Sequence, residues 1–582
     1  MIRYMKSKPR SIRLYLSALA IFLLALLAPS PAPAQAFTGH PKLVVIVVID
    51  QFRGDYLNRD RDQFKGRGFK LFMDQGAWFT NCYYDYANTK TAPGHSTIGT
   101  GAYTDGHGIE SNEWWDASRS NDAKVSSVQD ERYHMVDLPA ASIPANVPGA
   151  PEWAPKWVIG ASPLNLRATT LGDELRLATN GRSRVYGVSL KDRAAILPAG
   201  QSANAAYWID NPSGQFTTST YYMEHLPEWA RAFNASGRIA QAENEANVDT
   251  TTNQFYELVG RTPAANSYEL DFAKALIKGE KLGTNGVTDL LVVSLSPNDI
   301  QGHQFGPDSD FQDQMILSLD RDLDNFNTWL DQNLGLQNVW LALTADHGIA
   351  PIAGDAAKLG IHAVAVDMDK VYRKVNDELN KRHSPSERLS FLFPDPDLPY
   401  IVLDKRAFKK VGIDEKAAEE EVAALLPEIV SSQEPHPPTF IPLTVPPTLV
   451  QPSEQRLPPA PHVQYVYTRL DMASGQLPPS EWGRLLAHSY ADHGNWFVMM
   501  VLDAYQMAGS GQLAGTNHFS PWNYDPHVPL AFYGAPFVPR EYAKQSAPVD
   551  LAVTFASLLG INQPSAAVGK VLTEALKPTT KP

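Results

Sequence analysis

Cysteine is almost absent from this chain, which has one, Cys82, in 582 residues. A lone cysteine excludes an intrachain disulfide, so the fold depends on an apolar core, and a chain of this length can bury a large one. Basic residues are in the minority too: 50 Lys and Arg stand against 63 Asp and Glu, for a formal charge of −13. An acidic protein has no general attraction for nucleic acid or anionic membranes, so neither is an expected partner.

Long apolar runs are absent after the N-terminal region, so no membrane span is expected there. The N-terminal region has the parts of a secretory signal: basic residues from Arg3 to Arg13, an apolar run from Leu14 to Ala28, and small residues ending at Ala36. A retained membrane anchor is disfavoured because the run is short and a cleavable tail follows it. We expect residues 1–36 to be removed and the mature protein to be periplasmic or secreted.

Four continuous apolar runs, rich in β-branched residues, are typical of strands buried on both faces of a parallel sheet: 43–49, 290–295, 339–344 and 528–533. Helical patterns lie between them, for example in 311–333, where apolar residues recur at steps of three and four. The sequence therefore predicts an α/β fold with a mainly parallel central sheet and helices on both faces.

Residues suited to chemistry are scattered from Asp50 to His527, which indicates one catalytic domain, 37–582, that carries insertions. The insertions are predicted at about 113–180, 204–285 and 351–480. The third contains a strand and a helix, at 400–403 and 415–426. It then enters a proline-rich stretch, 435–461, that is expected to be extended.

Carboxylates and imidazoles follow the predicted strands. Asp50 comes after the first strand, Asp299 and His303 after the second, Asp346 and His347 after the third, and His527 comes just before the fourth. Each alone could be an ordinary turn residue, but ligands bind beyond the carboxyl ends of parallel strands. Six such side chains suit zinc and exceed what one tetrahedral ion needs, so the set predicts two metal ions.

A hydroxyl, that of Thr91, precedes a predicted helix from Ser96 to Ala102. A threonine there is usually a helix cap. The alternative is a metal-activated nucleophile, because a free threonine hydroxyl is a weak one at neutral pH.

The ordered motifs resemble the alkaline phosphatase superfamily, on its type I phosphodiesterase/nucleotide pyrophosphatase branch. They are Ile49-Asp50, Thr91-Ala92-Pro93-Gly94-His95, Asn298-Asp299 through His303, Thr344 through Gly348, and Tyr524 through Leu530. The resemblance implies one zinc on Asp50, Thr91, Asp346 and His347, and a second on Asp299, His303 and His527. It also implies that Thr91 is phosphorylated and then hydrolysed.

The choice between monoesters and diesters depends on other residues. A dianionic phosphoryl group needs extra cations or donors. Asn112, Lys191 and Arg193 resemble the Asn and Lys-x-Arg clamp of the threonine-nucleophile alkaline phosphatases, although a Lys-x-Arg pair is usually a solvated surface pair. The expected substrates are therefore small phosphate monoesters, and the physiological one is not indicated.

Other candidates have simpler interpretations. His95 and His107 are expected to be local hydrogen-bonding residues, and Cys82 a small buried residue, because the sulfatase pattern is absent around it. Trp114 and Trp115 could stack a substrate but more often such residues pack. The alternatives for the whole protein are a phosphodiesterase or nucleotide pyrophosphatase, and an exported zinc- or phosphate-binding protein without turnover. The oligomeric state is not indicated.

Overall fold

The computed structural model describes residues 39–115, 124–142, 158–248, 254–394, 398–433, 460–509 and 515–578. The predicted signal segment and most of the proline-rich stretch lie outside these residues. None of the helices in the described ranges is both long enough and apolar enough to cross a membrane.

A nine-stranded sheet forms the centre of the protein, in the order β18-β2-β17-β11-β1-β10-β7-β8-β9. The five strands from β11 to β8 are mutually parallel, and β17 is antiparallel to β11. This arrangement confirms the predicted α/β class with a mainly parallel sheet. Its strands are β1 Leu43–Ile49, β2 Ala77–Phe79, β7 Val185–Ser189, β8 Ala205–Ile209, β9 Phe216–Thr217, β10 Asp289–Leu295, β11 Val339–Thr344, β17 Leu530–Tyr533 and β18 Arg540–Tyr542.

Smaller sheets lie outside the central one. They contain β3 Glu113–Trp115, β4 Lys124–Ser126, β5 Gln129–His134, β6 Ile159–Ala161, β12 Val364–Asp367, β13 Tyr400–Leu403, β14 Val463–Thr468, β15 Trp496–Leu502 and β16 Gln506–Gly509.

The helices of the described residues include several long enough to cover the sheet. They are α1 Tyr56–Arg59, α2 Phe69–Gln75, α3 Thr91–Thr100, α4 Thr104–His107, α5 Leu171–Ala178, α6 Asp192–Ala199, α7 Glu228–Asn234, α8 Arg238–Ala246, α9 Phe255–Leu258, α10 Pro263–Gly279, α11 Pro297–Phe305, α12 Asp310–Leu334, α13 Ala353–Lys358, α14 Met368–His383, α15 Lys405–Lys410, α16 Glu415–Ser431, α17 Arg469–Ser474, α18 Glu481–Ser489 and α19 Val549–Leu559.

The central core follows from the apolar patterns. Every residue of β1, β10 and β11 is buried. The α12 helix begins after Ser309, whose side chain accepts a hydrogen bond from the Gln312 backbone, and it buries one apolar stripe. The predicted fourth strand begins two residues late, at Leu530, because Val528 bonds to the Cys82 carbonyl and Pro529 has no N–H to donate.

A second apolar core lies in the C-terminal half. Its members come from β12, α14, β13, α16, β14 and β15, and the three-stranded sheet has the order β13-β15-β14. The strand predicted at 400–403 is present, and the helix predicted at 415–426 extends to Ser431. The division of the chain into one domain with three insertions stays a prediction.

Candidate active site

The ends of β1 and β11 bring together three side chains that could hold a metal ion. Asp50 follows β1, and Asp346 and His347 follow the neighbouring parallel strand β11. The His347 Nε2 lies 3.5 Å from Asp50 Oδ1 and 3.6 Å from Asp346 Oδ2. These residues, all 0% exposed, form the first cluster, and their role as metal ligands stays a prediction.

A second cluster lies beyond β10. Asp299 and His303 are one turn apart on α11, and the His303 Nε2 is 3.1 Å from Asp299 Oδ1. The third member is His518, whose Nε2 is 3.8 Å from the same oxygen. One possible ligand atom from each of Asp299, His303 and His518 lies within 4.8 Å of the others.

The histidines of both clusters share one orientation. Each has Nδ1 at hydrogen-bond distance from a backbone carbonyl: His303 from Thr516 at 3.0 Å, His347 from Gly348 at 2.9 Å and His518 from Thr89 at 2.5 Å. Because a carbonyl only accepts, Nδ1 carries the proton and Nε2 keeps a lone pair when the ring is neutral. Such fixed tautomers are typical of metal-binding histidines.

Unpartnered buried atoms in the first cluster fit a cation. Asp50 Oδ1 and His347 Nε2 are buried without a hydrogen-bond partner among the described residues, and Asp346 Oδ2 has only the His95 ring, at 3.2 Å. Buried polar atoms normally have partners, so an oxygen and a nitrogen left without one in the same cluster indicate a ligand. Burial also lowers the pKa values of His347 and His518, and the charges of other histidines lower that of His518 further. The donor set of carboxylates and neutral imidazoles fits zinc.

The prediction that His527 is a metal ligand is wrong. Its Nε2 is 3.1 Å from the Thr80 carbonyl oxygen, and its ring stacks on Tyr83 at 4.6 Å between centroids. The other face lies against Gly54, where a Cβ would come 2.6 Å from Nε2. The ring is thus held away from both clusters, with Nε2 already hydrogen-bonded.

His518 is the residue that the sequence analysis missed. It lies in the irregular segment after Gly515, near Asp299 rather than beside a predicted strand. Asp525 fixes this segment by accepting hydrogen bonds from the backbone and hydroxyl of Ser520, at 2.9 and 2.6 Å. The available signal was a histidine in a Gly-Thr-Asn-His turn-forming sequence, which is a weak one.

Thr91 is the first residue of α3, not its cap, so the predicted start at Ser96 is wrong. The cap position is Lys90, in an extended conformation, and Pro93 is tolerated because it lies in the first turn. His95, one turn on, has Nδ1 2.8 Å from the Thr91 carbonyl oxygen and 3.2 Å from Asp346 Oδ2. The nucleophile candidate is therefore 2% exposed and tied to the first cluster through one imidazole.

Asn112 contacts the residue that follows the nucleophile candidate, and its predicted role in substrate binding stays a prediction. Its side-chain oxygen accepts a hydrogen bond of 2.8 Å from the Ala92 backbone N–H. The adjacent Ser111 hydroxyl accepts one of 2.8 Å from Lys90 Nζ. With its oxygen engaged on α3, Asn112 retains its NH₂ group for a ligand at Thr91.

Lys191 and Arg193 follow β7. The Lys191 ammonium lies 2.6 Å from Asp50 Oδ2 and 2.5 Å from Asp299 Oδ2, so it contacts one carboxylate of each cluster. Arg193 is in the first turn of α6, with Nη1 3.7 Å from Asp192, and its Nε has no partner within the described ranges. The Lys191 ammonium is therefore in the candidate site, where it contacts the carboxylates of Asp50 and Asp299. The predicted role of Lys191 and Arg193 in clamping a phosphoryl group stays a prediction.

Negative charge is concentrated in this buried site. Burial raises the pKa of Asp50 well above its usual range, and the charges of Asp299 and Asp346 add to that rise. Burial also raises the pKa of Asp299, but the charges of Lys191 and His303 bring it well below the usual range. Such a site attracts cations, because buried carboxylates are stabilised by opposite charge.

The residues given simpler interpretations behave accordingly. His107 accepts a hydrogen bond of 3.1 Å from the Ile109 N–H, and Cys82 is buried. Trp114 stacks on His493 and Trp115 on Phe393, at 4.4 Å in both cases, so both rings pack inside the protein.

Comparison with known proteins places this geometry in context. Residues 44–464 match the type I phosphodiesterase / nucleotide pyrophosphatase family. The alkaline phosphatase PhoV of Synechococcus elongatus is 32% identical, over 94% of this chain and 95% of PhoV. A Myroides odoratus protein named a calcium-transporting ATPase is 31% identical, over 92% of this chain and 95% of that protein. The crystal structure of the alkaline phosphatase PafA is similar with a TM-score of 0.76 and 29% identity, over 92% of this chain and 99% of that chain.

Proposed function

Because the chain belongs to the type I phosphodiesterase/nucleotide pyrophosphatase family, we propose that it is an alkaline phosphatase that hydrolyses phosphate monoesters. The observation that carries the proposal is the position of Asn112. Its side chain is bonded to the residue after Thr91, beside two clusters of metal-ligating residues. A donor at that position can hold a phosphoryl oxygen while Thr91 attacks.

The chain's own residues account for most of the proposed reaction. Thr91 Oγ gives up its proton and attacks phosphorus, the bond from phosphorus to the ester oxygen breaks, and that oxygen takes up a proton as the alcohol leaves. A water then attacks the phosphothreonine and gives up a proton, the bond from phosphorus to Thr91 Oγ breaks, Thr91 Oγ takes up a proton, and inorganic phosphate departs. The N-terminus of α3 and the Asn112 NH₂ group face the anionic phosphoryl oxygens during both steps.

The two clusters are proposed to hold two zinc ions, with His518 in place of His527. The first ion would be bound by Asp50, Asp346, His347 and Thr91, and the second by Asp299, His303 and His518. When bound, the ions lower the pKa of hydroxyl and water and neutralise charge on the entering and leaving oxygens.

Lys191 and Arg193 are proposed to clamp the additional charge of a monoester. A bound cation pair would neutralise Asp50 and Asp299, which frees the Lys191 ammonium from their oxygens. The Arg193 Nε–H has no hydrogen-bond partner in the described residues, so it can donate to a phosphoryl oxygen without breaking another bond.

The experiment compares hydrolysis of p-nitrophenyl phosphate, bis-p-nitrophenyl phosphate and ATP by the full chain, after chelation and after addition of zinc. A zinc-restored preference for the monoester supports the proposal. The Thr91→Ala variant is expected to lose turnover of all three substrates, while Asp50, Asp346 and His347 still hold the first ion. Full activity in that variant would remove Thr91 as the nucleophile.

A phosphodiesterase or nucleotide pyrophosphatase is the second candidate. The observation that favours it is the contact of Lys191 with Asp50 and Asp299, because an ammonium that stays there cannot clamp a phosphoryl group. Preference for the diester or for ATP would select this candidate. Absence of turnover with all three substrates would instead select a zinc- or phosphate-binding protein.

Export is part of the proposal, and it is supported by the signal-like sequence of residues 1–36. Expression of the full chain in a bacterial host, followed by separation of periplasm, medium and cytoplasm, tests it. A cytoplasmic protein that retains its N-terminal residues would contradict the proposal.

A further inference from the structure

Glu269 is a completely buried acid that connects two loops of the active site. It lies on α10 and is 0% exposed. Its Oε1 accepts a hydrogen bond of 2.7 Å from the Leu190 N–H, and its Oε2 accepts one of 3.4 Å from the Ser296 N–H. One carboxylate therefore joins the ends of the neighbouring strands β7 and β10.

Each of these loops carries a residue of the proposed machinery. Leu190 immediately precedes Lys191, and Ser296 precedes α11, which bears Asp299. The Lys191 ammonium and Asp299 Oδ2 are 2.5 Å apart, so a relative shift of the loops changes this distance directly. A buried carboxylate is costly unless its oxygens are hydrogen-bonded, and here both bonds go to backbone that carries site residues.

We propose that Glu269 is a positioning residue that sets the separation of Lys191 from Asp299, and thereby the preference of the site for monoesters. The inference rests on the proposed function, because the clamp role of Lys191 does. Glu269 acts through the two loops and touches neither metal ligand nor substrate. Loss of its carboxylate displaces Lys191 relative to the metal-ligating residues, which affects a dianionic phosphoryl group more than a monoanionic one.

A matched control exists at the opposite ends of the same two strands. Asp289 is also 0% exposed, and its Oδ1 accepts a hydrogen bond of 2.7 Å from the Arg184 N–H. Its Oδ2 accepts one of 2.8 Å from the Gly283 N–H. Asp289 thus fixes backbone at the amino ends of β7 and β10, far from the candidate site, through the same chemistry.

The experiment measures kcat and KM for p-nitrophenyl phosphate and bis-p-nitrophenyl phosphate, and the inhibition constant of inorganic phosphate, in zinc-loaded full chains. The variants are Glu269→Leu, Glu269→Gln and Asp289→Asn. Glu269→Leu is expected to lose about 10- to 100-fold in monoester kcat/KM, with a diester loss at least about fivefold smaller and weaker inhibition by phosphate. Glu269→Gln keeps an acceptor for Leu190 and is expected to recover part of the ratio. Asp289→Asn is expected to keep the wild-type ratio.

Two results would overturn the inference. One is a Glu269→Leu variant whose monoester-to-diester ratio and phosphate inhibition equal those of the wild type. The other is an Asp289→Asn variant that shifts the ratio as much as Glu269→Leu does. If Glu269→Leu does not fold, Glu269→Gln decides, because its single acceptor oxygen can keep the bond to Leu190 but not the one to Ser296 as well. A wild-type ratio together with wild-type phosphate inhibition in that variant refutes the role.

Failure of the proposed function gives a different pattern. A wild-type protein that prefers the diester refutes the monoesterase proposal before any variant is compared. The effect of Glu269 on the position of Lys191 is then judged by phosphate inhibition alone. The inference requires that Glu269→Leu still weakens inhibition by inorganic phosphate and that Asp289→Asn does not.

Discussion

Gly94 lies so close to Asp346 that a Cβ on Gly94 would come 2.3 Å from the Asp346 carbonyl oxygen. The approach lets the first turn of α3 pack directly on the loop after β11. Thr91, one turn earlier, is thereby fixed beside the first cluster. A side chain at position 94 would push the first turn of α3 away from this loop, and Thr91 would move away from the first cluster with it.

Replacement of Gly94 by Ala is therefore expected to lower kcat by about 100-fold, because displacement of a reacting group by about 1 Å can cost that much. Steady-state rates with p-nitrophenyl phosphate, at equal bound zinc, measure the effect. Gly66→Ala is the control, since a Cβ at Gly66 meets nothing within 4 Å. Equal activity of the two variants would show that Thr91 does not depend on this contact.

Substitution of His518 is expected to lower the metal content, and substitution of His527 is expected to leave it unchanged. His518→Ala removes a proposed ligand of the second ion, so bound zinc is expected to fall from about two ions per chain to about one, with loss of turnover. His527→Ala breaks a hydrogen bond to Thr80 and is expected to keep both ions. Elemental analysis of dialysed protein measures the zinc, and loss of an ion only from His527→Ala would restore the original prediction.

Substitution of Lys191 or Arg193 by Ala is expected to lower monoester kcat/KM by about 100-fold and diester kcat/KM by about 10-fold or less. The reason is that a dianionic phosphoryl group has one more charged oxygen to stabilise. Both substrates are assayed on each variant beside Lys416→Ala, whose side chain is 74% exposed. Equal losses of kcat/KM for the two substrates would show that Lys191 and Arg193 do not determine the preference for monoesters.

Glu419 in the second core is expected to make stability depend on pH. It is 0% exposed and accepts a hydrogen bond of 3.1 Å from the Leu470 N–H. Burial, with the charge of Glu415, raises its pKa to about 7. The folded state therefore keeps a proton that an unfolded chain loses near pH 4.3. This stabilisation is complete below about pH 4.3 and is lost as the pH rises through about 7.

The Glu419→Gln variant carries no such proton. Between pH 5 and 7.5 the wild type should lose roughly 1–3 kcal/mol of stability relative to this variant. Unfolding temperatures across that range measure the difference. Glu420→Gln, at an exposed position of the same helix, should follow the wild type. Parallel curves for the wild type and Glu419→Gln would contradict the prediction.

The sequence predicted the sheet well because its strands are continuous apolar runs, and β1 and β11 have the predicted ends. The three acidic and histidine residues that come just after those strands, Asp50, Asp346 and His347, lie together in the structure, and their role as ligands stays a prediction. The sequence favoured His527 rather than His518 for the second cluster, because the position of each histidine depends on which backbone carbonyl its ring contacts. That is decided by tertiary contacts with Thr89 and Thr80, hundreds of residues away.

The order of the proposed ligands along the chain has a consequence for biogenesis. Asp50 is synthesised early, Asp299 and Asp346 follow, and His518 comes last. The contacts between these residues close chain loops of very different length. Contacts between residues far apart in the sequence form late, because closing a long loop has the largest entropic penalty. A chain that ends before His518 contains every residue of the first cluster but lacks one residue of the second. If both clusters bind zinc as proposed, binding of the second ion is expected to require the complete chain, and zinc uptake over time would report the last stage of maturation.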